Sequence, residues 1–150
     1  MKTFKTITFI FFIFVCTKTK AQELKLEQMK RLTGTSSQFS DILIQLDKYK
    51  RVNVEWLENG FLVTQYRSSD SKTLVEVGSS TIFIYCVVFT KDKNYVNALI
   101  AEAYSDDFIK EKDLMQVNNN LPVLKKGKQT FGVSKNQKTE LYKISLNRDF

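Results

Sequence analysis

Val52-Asn53-Val54-Glu55-Trp56-Leu57-Glu58-Asn59-Gly60-Phe61-Leu62-Val63-Thr64-Gln65-Tyr66 is the stretch that decides the fold class. Val52, Val54 and Trp56 alternate with Asn53 and Glu55, the period of two that sends successive side chains to opposite faces of a strand. Asn59-Gly60 follows, and both residues tolerate positive φ, so the pair favours the tight turn of a β-hairpin. Phe61 to Tyr66 supplies the returning strand. A hairpin at this point predicts a sheet that grows by antiparallel neighbours rather than by parallel crossovers.

Strand signals continue downstream. A polar turn at Ser68–Lys72 leads into a predicted strand over Thr73–Val77, ending at Gly78. Thr81–Thr90 contains Ile82-Phe83-Ile84-Tyr85-Cys86-Val87-Val88-Phe89, the most apolar run outside the N-terminal segment. An unbroken run of this kind predicts a central strand covered on both faces, or one whose outer face meets something the pattern does not reveal. Near the C-terminus the predicted strands are Leu121–Lys125, Thr130–Ser134 and Glu140–Leu146, separated by turns at Lys126-Gly127 and Asn136-Gln137-Lys138. Residues 108–117 fit a helix or a strand equally well.

Helical periodicity appears twice with clarity. Phe39, Ile42, Leu43, Leu46 and Tyr49 share one stripe, with Ser37 placed to cap it. Tyr95–Tyr104 repeats the pattern, with Asn94 as the expected cap. Glu23–Leu32, with Leu24, Leu26, Met29 and Leu32 among charges, leans toward a short helix. Phe39, Asp41, Leu43 and Ile44 recur at constant offset as Tyr95, Asn97, Leu99 and Ile100, a helix-plus-strands pseudo-repeat, although two amphipathic helices share such a stripe by necessity. The expected architecture is α+β: an antiparallel sheet of about five to seven strands with two or three helices packed mainly on one face, a two-layer sandwich.

Residues 1–21 read as a signal peptide. Lys2 and Lys5 supply the positive start, Ile7–Val15 is apolar except for Thr8 and too short to span a bilayer, and Thr19-Lys20-Ala21 offers small residues at a cleavage site before Gln22. Cys16 would be the acylated residue of a lipoprotein signal, but Ile13-Phe14-Val15 places bulky side chains where that peptidase needs small ones. The lysine-rich start, Phe/Ile-rich centre and Ala-Gln junction resemble the signals of exported bacterial proteins. That resemblance covers the leader alone and implies a periplasmic or extracellular address for residues 22–150, which are the size of one globular domain.

Removing the leader changes the electrostatics. The formal charge is +7, but Lys2, Lys5, Lys18 and Lys20 leave with no acid, so the remaining domain carries +3. Its positive charge is concentrated after residue 120, where seven cations face Glu140 and Asp149. Such a segment suits an acidic partner or anionic headgroups, and equally a solvated strand face. Of two cysteines only Cys86 remains. Its apolar surroundings predict a buried, inert thiol, with an intermolecular disulfide as the other outcome.

The chain has no histidine, which removes the commonest general base, the commonest zinc ligand and every Ser-His-Asp or Cys-His arrangement. Carboxylate chemistry survives through Glu102, Asp106 and Asp107 near the end of the last predicted helix, and through Glu55 and Glu58; a hydrolase or lyase would need two of them across a cleft. The twelve-residue calcium-loop pattern is missing, and the five glycines stand apart from any phosphate-binding motif, so neither metal nor cofactor is expected. Lys125, Lys126 and Lys128 with Phe131 have the look of a single-strand nucleic-acid binder, yet the exported address and modest charge point away from nucleic acid. Trp56, Tyr66 and Tyr85 lie on predicted strands and are candidates to line an apolar groove. The expectation is a non-catalytic module that binds a protein or a small apolar ligand through its sheet, with a homodimer or peripheral envelope contact through the basic strands as further forms of attachment.

Overall fold

In the computed structural model, which describes residues 23–34, 49–58, 60–111 and 121–150, the hairpin of residues 52–66 is present. β1 (Tyr49–Trp56) pairs antiparallel with β2 (Leu62–Ser68), Trp56 opposite Leu62. The connection is wider than the tight turn Asn59-Gly60 predicts: the Leu57 N–H donates to the Phe61 carbonyl at 2.8 Å and the Gly60 N–H to the Leu57 carbonyl at 2.9 Å. Gly60 takes φ +80, the left-handed conformation that glycine adopts without a steric penalty. The leader, the predicted helix from Ser37 as far as residue 48 and its share of the pseudo-repeat lie outside the described residues, as does Asn59; Tyr49, the last residue of the predicted helical stripe, is instead the first residue of β1, buried at the edge of the sheet.

β3 (Leu74–Ser79) and β4 (Phe83–Thr90) complete a meander. Thirteen residues of helix follow, and then a second meander of β5 (Ile109–Lys110), β6 (Val123–Lys126), β7 (Gln129–Asn136) and β8 (Leu141–Asp149). The strand order is β1-β2-β3-β4-β8-β7-β6-β5. The last strand of each meander therefore pairs with the last strand of the other. The eight strands among the described residues exceed the predicted five to seven. The addition is β5, a two-residue strand inside the ambiguous 108–117 stretch, too short to impose a period on the sequence.

Two helices are described, α1 (Leu26–Leu32) and α2 (Lys93–Ser105). The cap of α2 is Asp92 rather than Asn94: its Oδ1 accepts from the Asn94 N–H at 2.9 Å and the Tyr95 N–H at 3.2 Å. A carboxylate two residues earlier wins because it satisfies two orphan donors and sits at the positive end of the helix dipole. α1 is tied to α2 by the Glu102 carboxylate, which accepts from the Leu26 N–H at 2.8 Å, and by the Tyr95 hydroxyl, which donates to the Leu24 carbonyl at 2.5 Å.

The core follows from strand alternation. Tyr66, Val75, Val77, Cys86, Val88, Leu124, Phe131, Val133, Ile144 and Leu146 form one buried cluster with Leu26, Met29 and Leu32 of α1 and Tyr95, Val96, Leu99 and Ala103 of α2. These strand residues face one another across the sheet: Val75 opposite Val88, Val88 opposite Ile144, Ile144 opposite Val133. Each such side chain contributes about 1.5–3 kcal/mol on burial. Cys86 lies inside this cluster, fully enclosed, and burial pushes its thiol pKa up.

Gly78 has a role of another kind. It sits opposite Tyr85, and a Cβ at this position would overlap the Tyr85 ring, so the glycine is what lets the ring lie across β3. Gly78→Ala is expected to cost about 1–3 kcal/mol by overpacking, measured by urea denaturation. The cost should fall when Tyr85→Ala is combined with it; strictly additive losses would refute the contact.

A thiol reagent offers a second test. Cys86 should be unreactive toward an aromatic disulfide reagent in the folded protein and react stoichiometrically once urea unfolds it. Rapid labelling under native conditions would contradict its burial.

Candidate functional site

The cluster above takes the residues of one face of β2, β3, β4 and β8, and leaves the opposite face of the sheet to be accounted for. On that outer face the register lines up three rows: Val63, Gly78, Tyr85 and Asn147; Gln65, Glu76, Val87 and Ser145; Arg67, Leu74, Phe89 and Lys143. Phe83, Tyr85 and Phe89 are half-buried there, while Val87 is buried. The apolar run 82–89 is thus enclosed on one side and partly open on the other.

The three rows differ in chemistry. At the hairpin end Phe61 meets Phe83 edge-on, ring centres 4.9 Å apart, and both approach Tyr85 at 6.2 and 6.1 Å. Next to this aromatic group is a polar bridge: the Tyr85 hydroxyl donates to Glu76 Oε1 at 3.0 Å and Gln65 Nε2 donates to Glu76 Oε2 at 2.9 Å. Burial, then the charge and hydrogen bond of Glu76, raise the Tyr85 phenol pKa. The hydroxyl is held as a neutral donor, which suits a structural tie rather than a proton shuttle.

At the other end the face dips into a depression of about 630 Å³, a size typical of small-molecule sites. Leu74, Phe89 and Leu141 supply its apolar lining, while Arg67, Lys72 and Lys91 bring three exposed cations to it. Two built loops hold this rim. In the β2–β3 turn, Asp70 Oδ1 accepts from the Ser68 hydroxyl at 2.6 Å and the Lys72 N–H at 3.1 Å, and the Thr73 N–H donates to Ser68 Oγ at 3.0 Å. The Ser68 hydrogen bond, with help from the Lys72 backbone, lowers the Asp70 pKa. After β4, the Asp92 N–H donates to Thr90 Oγ1 at 3.1 Å. Asp92 also lines the depression, but its carboxylate is engaged in capping α2. Three cations against the one carboxylate leave the rim with a net positive charge.

The residues singled out from sequence are scattered by the fold. Tyr66 is 1% exposed in the core, on the face opposite Tyr85, and has no surface to offer a ligand. Trp56 stands on the outermost strand, 71% exposed. Tyr85 alone of the three borders the outer face. Lys125 and Lys128 are exposed beside the β6–β7 turn, whereas Lys126 reaches across to α2: its Nζ lies 3.2 Å from Asp106 Oδ1 and donates to the Asp106 carbonyl at 2.7 Å.

Glu102 and Asp106 do come together. Both border a shallow depression of about 540 Å³ between α1 and α2, with Glu27 and Lys30. Asp107, at φ +63, is exposed and outside it. Both carboxylates, however, have structural partners. Glu102 caps α1, and Asp106 pairs with Lys30 at 3.0 Å as well as with Lys126. Burial alone would raise the Asp106 pKa, but the two lysines win and hold it below the usual carboxylate value; the same pair raises Lys30. Among the described residues no three cysteine or acidic side chains gather at metal-binding spacing.

What sequence reasoning missed is the cationic rim and its lining. Leu74 and Phe89 belong to predicted strands, and their outward parity was a usable signal. Arg67, Lys72 and Lys91 look like ordinary turn charges until the sheet aligns them.

Comparison with family models, with characterised proteins and with solved structures finds no match to this chain.

The Asp106 pair predicts a pH dependence. Its folded-state pKa lies below the unfolded value, so the stabilisation is complete above about pH 4 and is lost as pH falls through the folded value. Asp106→Asn should lower the denaturant midpoint near neutral pH, and the deficit should shrink at about pH 3. A deficit unchanged between the two pH values would show that charge is not its source.

Proposed function

We propose that residues 22–150 form an exported, non-catalytic binding module that holds a small amphipathic anion on the outer face of its sheet. The helices in this reading form a second layer on the opposite face, leaving the outer face for the ligand. The observation that carries the proposal is the depression with Leu74, Phe89 and Leu141 inside and Arg67, Lys72 and Lys91 around it. Apolar walls take a hydrocarbon body by excluding water, and a rim of cations selects a carboxylate or phosphate head. Arg67 is the preferred partner for such a head because its guanidinium binds two oxygens at once, while the lysines act as point charges.

A second reading, a carboxylate-dependent hydrolase or lyase, draws support from Glu102 and Asp106 sharing the depression between the helices. It is weakened by the work each already does: freeing either carboxylate for proton transfer would uncap α1 or break the ion pairs to Lys30 and Lys126. Docking to the envelope through the basic C-terminal strands rests on Lys125 and Lys128, since Lys126 is already paired with Asp106.

A titration with a long-chain fatty carboxylate and with the alcohol of the same length separates these readings. The carboxylate should bind saturably and more tightly than the alcohol. Arg67→Ala should weaken it by roughly tenfold or more, the loss expected when a hydrogen bond to a charged group is removed, with the alcohol little affected. Equal affinity for carboxylate and alcohol, or binding untouched by Arg67→Ala and Lys91→Ala, would sink the proposal.

A further inference from the structure

The outer-face row at the cation-rimmed depression places two apolar side chains between cations. Lys50, Arg67, Leu74, Phe89 and Lys143 stand in register across the sheet, from β1 to β8. Lys72 and Lys91 each lie two residues beyond the Leu74–Phe89 pair, one before β3 and the other after β4. Both line the depression together with Arg67.

Cations gathered at one small depression repel one another unless an anion lies among them. Other lysines of this structure meet carboxylates directly: Lys30 and Lys126 pair with Asp106, and Lys135 with Glu140. Among the described residues no ion pair of this kind engages Arg67, Lys72 or Lys91. Asp92 is the single carboxylate of the lining, so three cations and one anion leave it at +2. Asp70 and Glu23 line a separate cavity of about 110 Å³, formed with the core-side residues Ser68, Thr73 and Thr90. Glu76 stands in the next row, its oxygens accepting from the Tyr85 hydroxyl and the Gln65 amide, while Lys50 and Lys143 add positive charge to the row itself.

A carboxylate head brings one charge and two oxygens, which the Arg67 fork alone can satisfy, leaving both lysines unmatched. A phosphate monoester brings close to two charges and three terminal oxygens, enough for the fork and for two ammonium groups. We infer, on the reading of this depression as the site of an amphipathic anion, that the head it selects is a phosphate monoester in its dianionic form, with its hydrocarbon against Leu74, Phe89 and Leu141. Arg67 orients the head, and Lys72 and Lys91 match its second charge. The same head occurs on a free alkyl phosphate and on a lipid of the phosphatidic acid type.

Calorimetric titration with dodecyl phosphate, its methyl diester and dodecanoate, each below its micelle concentration, tests the assignment. The monoester loses its second proton near about pH 6, the diester keeps one charge throughout, and the chain has no histidine to titrate in the same window. At about pH 8 the monoester should bind roughly tenfold more tightly than the diester, the gain of one further hydrogen bond to a charged group. At about pH 5, where the monoester also carries close to one charge, the two should bind alike. Lys72→Gln and Lys91→Gln, both at exposed positions, should each remove most of the advantage and change dodecanoate affinity far less than Arg67→Ala does. Flotation with phosphatidylcholine vesicles containing phosphatidic acid assigns the source: cofloating that Lys72→Gln abolishes gives the head to a lipid, and monoester binding without cofloating gives it to a free alkyl phosphate. Dodecanoate that binds while the monoester is no tighter than the diester, or an advantage that persists at the lower pH, would overturn the phosphate assignment and leave the amphipathic-anion site standing. Failure of all three ligands to bind would remove both.

Discussion

The pairing of β4 with β8 is the contact on which the rest of the molecule depends. Eight residue pairs, from Phe83 opposite Asp149 to Thr90 opposite Tyr142, join two meanders that are otherwise built from local hairpins. Their side chains in the buried cluster, Cys86 with Leu146 and Val88 with Ile144, are fully enclosed. Without this seam each half would be a four-stranded ribbon with an additional exposed edge, and the cluster that α1 and α2 share with both halves would have no floor. It is also the least local contact in the sheet, closed only when the end of the chain returns to a strand made some sixty residues earlier, so its loop-closure entropy must be offset by the apolar burial it completes.

The seam accounts for the difference between the two faces. One face is consumed by the core, which takes every strand position of matching parity near the centre. The other keeps a run of intermediate burial, with an aromatic group at the hairpin end, the Glu76 bridge beside it, and the cation-rimmed depression at the far end. A glycine at position 78 belongs to the same logic: removing one side chain from β3 provides the space in which the Tyr85 ring lies.

Charged groups in this fold mostly do structural work, which explains why acids that look suggestive in sequence are hard to read as catalysts. Asp70 organises a turn, Asp92 and Glu102 cap helices, and Asp106 ties α1 and β6 to the end of α2. A carboxylate serves these roles well because it accepts several N–H bonds at once, and it would lose that function if recruited to carry protons.

Period and turn chemistry in the sequence were enough to determine an antiparallel sheet, the hairpin around residues 52–66, the strands of the first meander and the three longer strands of the second, the helix after β4, and a buried Cys86, because each of these is governed by short-range sterics and by parity along a single strand. The same local signals placed the cap of α2 two residues late, drew the hairpin loop too tight and passed over β5, since those features are settled by which competing partner is nearby. Tyr66 and Tyr85 looked equivalent as strand aromatics, yet the register sent one into the core and the other to the outer face. Which residues share a site was decided only in three dimensions: Arg67, Lys72, Lys91 and Leu141 come from separate turns and strands, and it is the cross-strand alignment, with its seam between β4 and β8, that brings them around one depression.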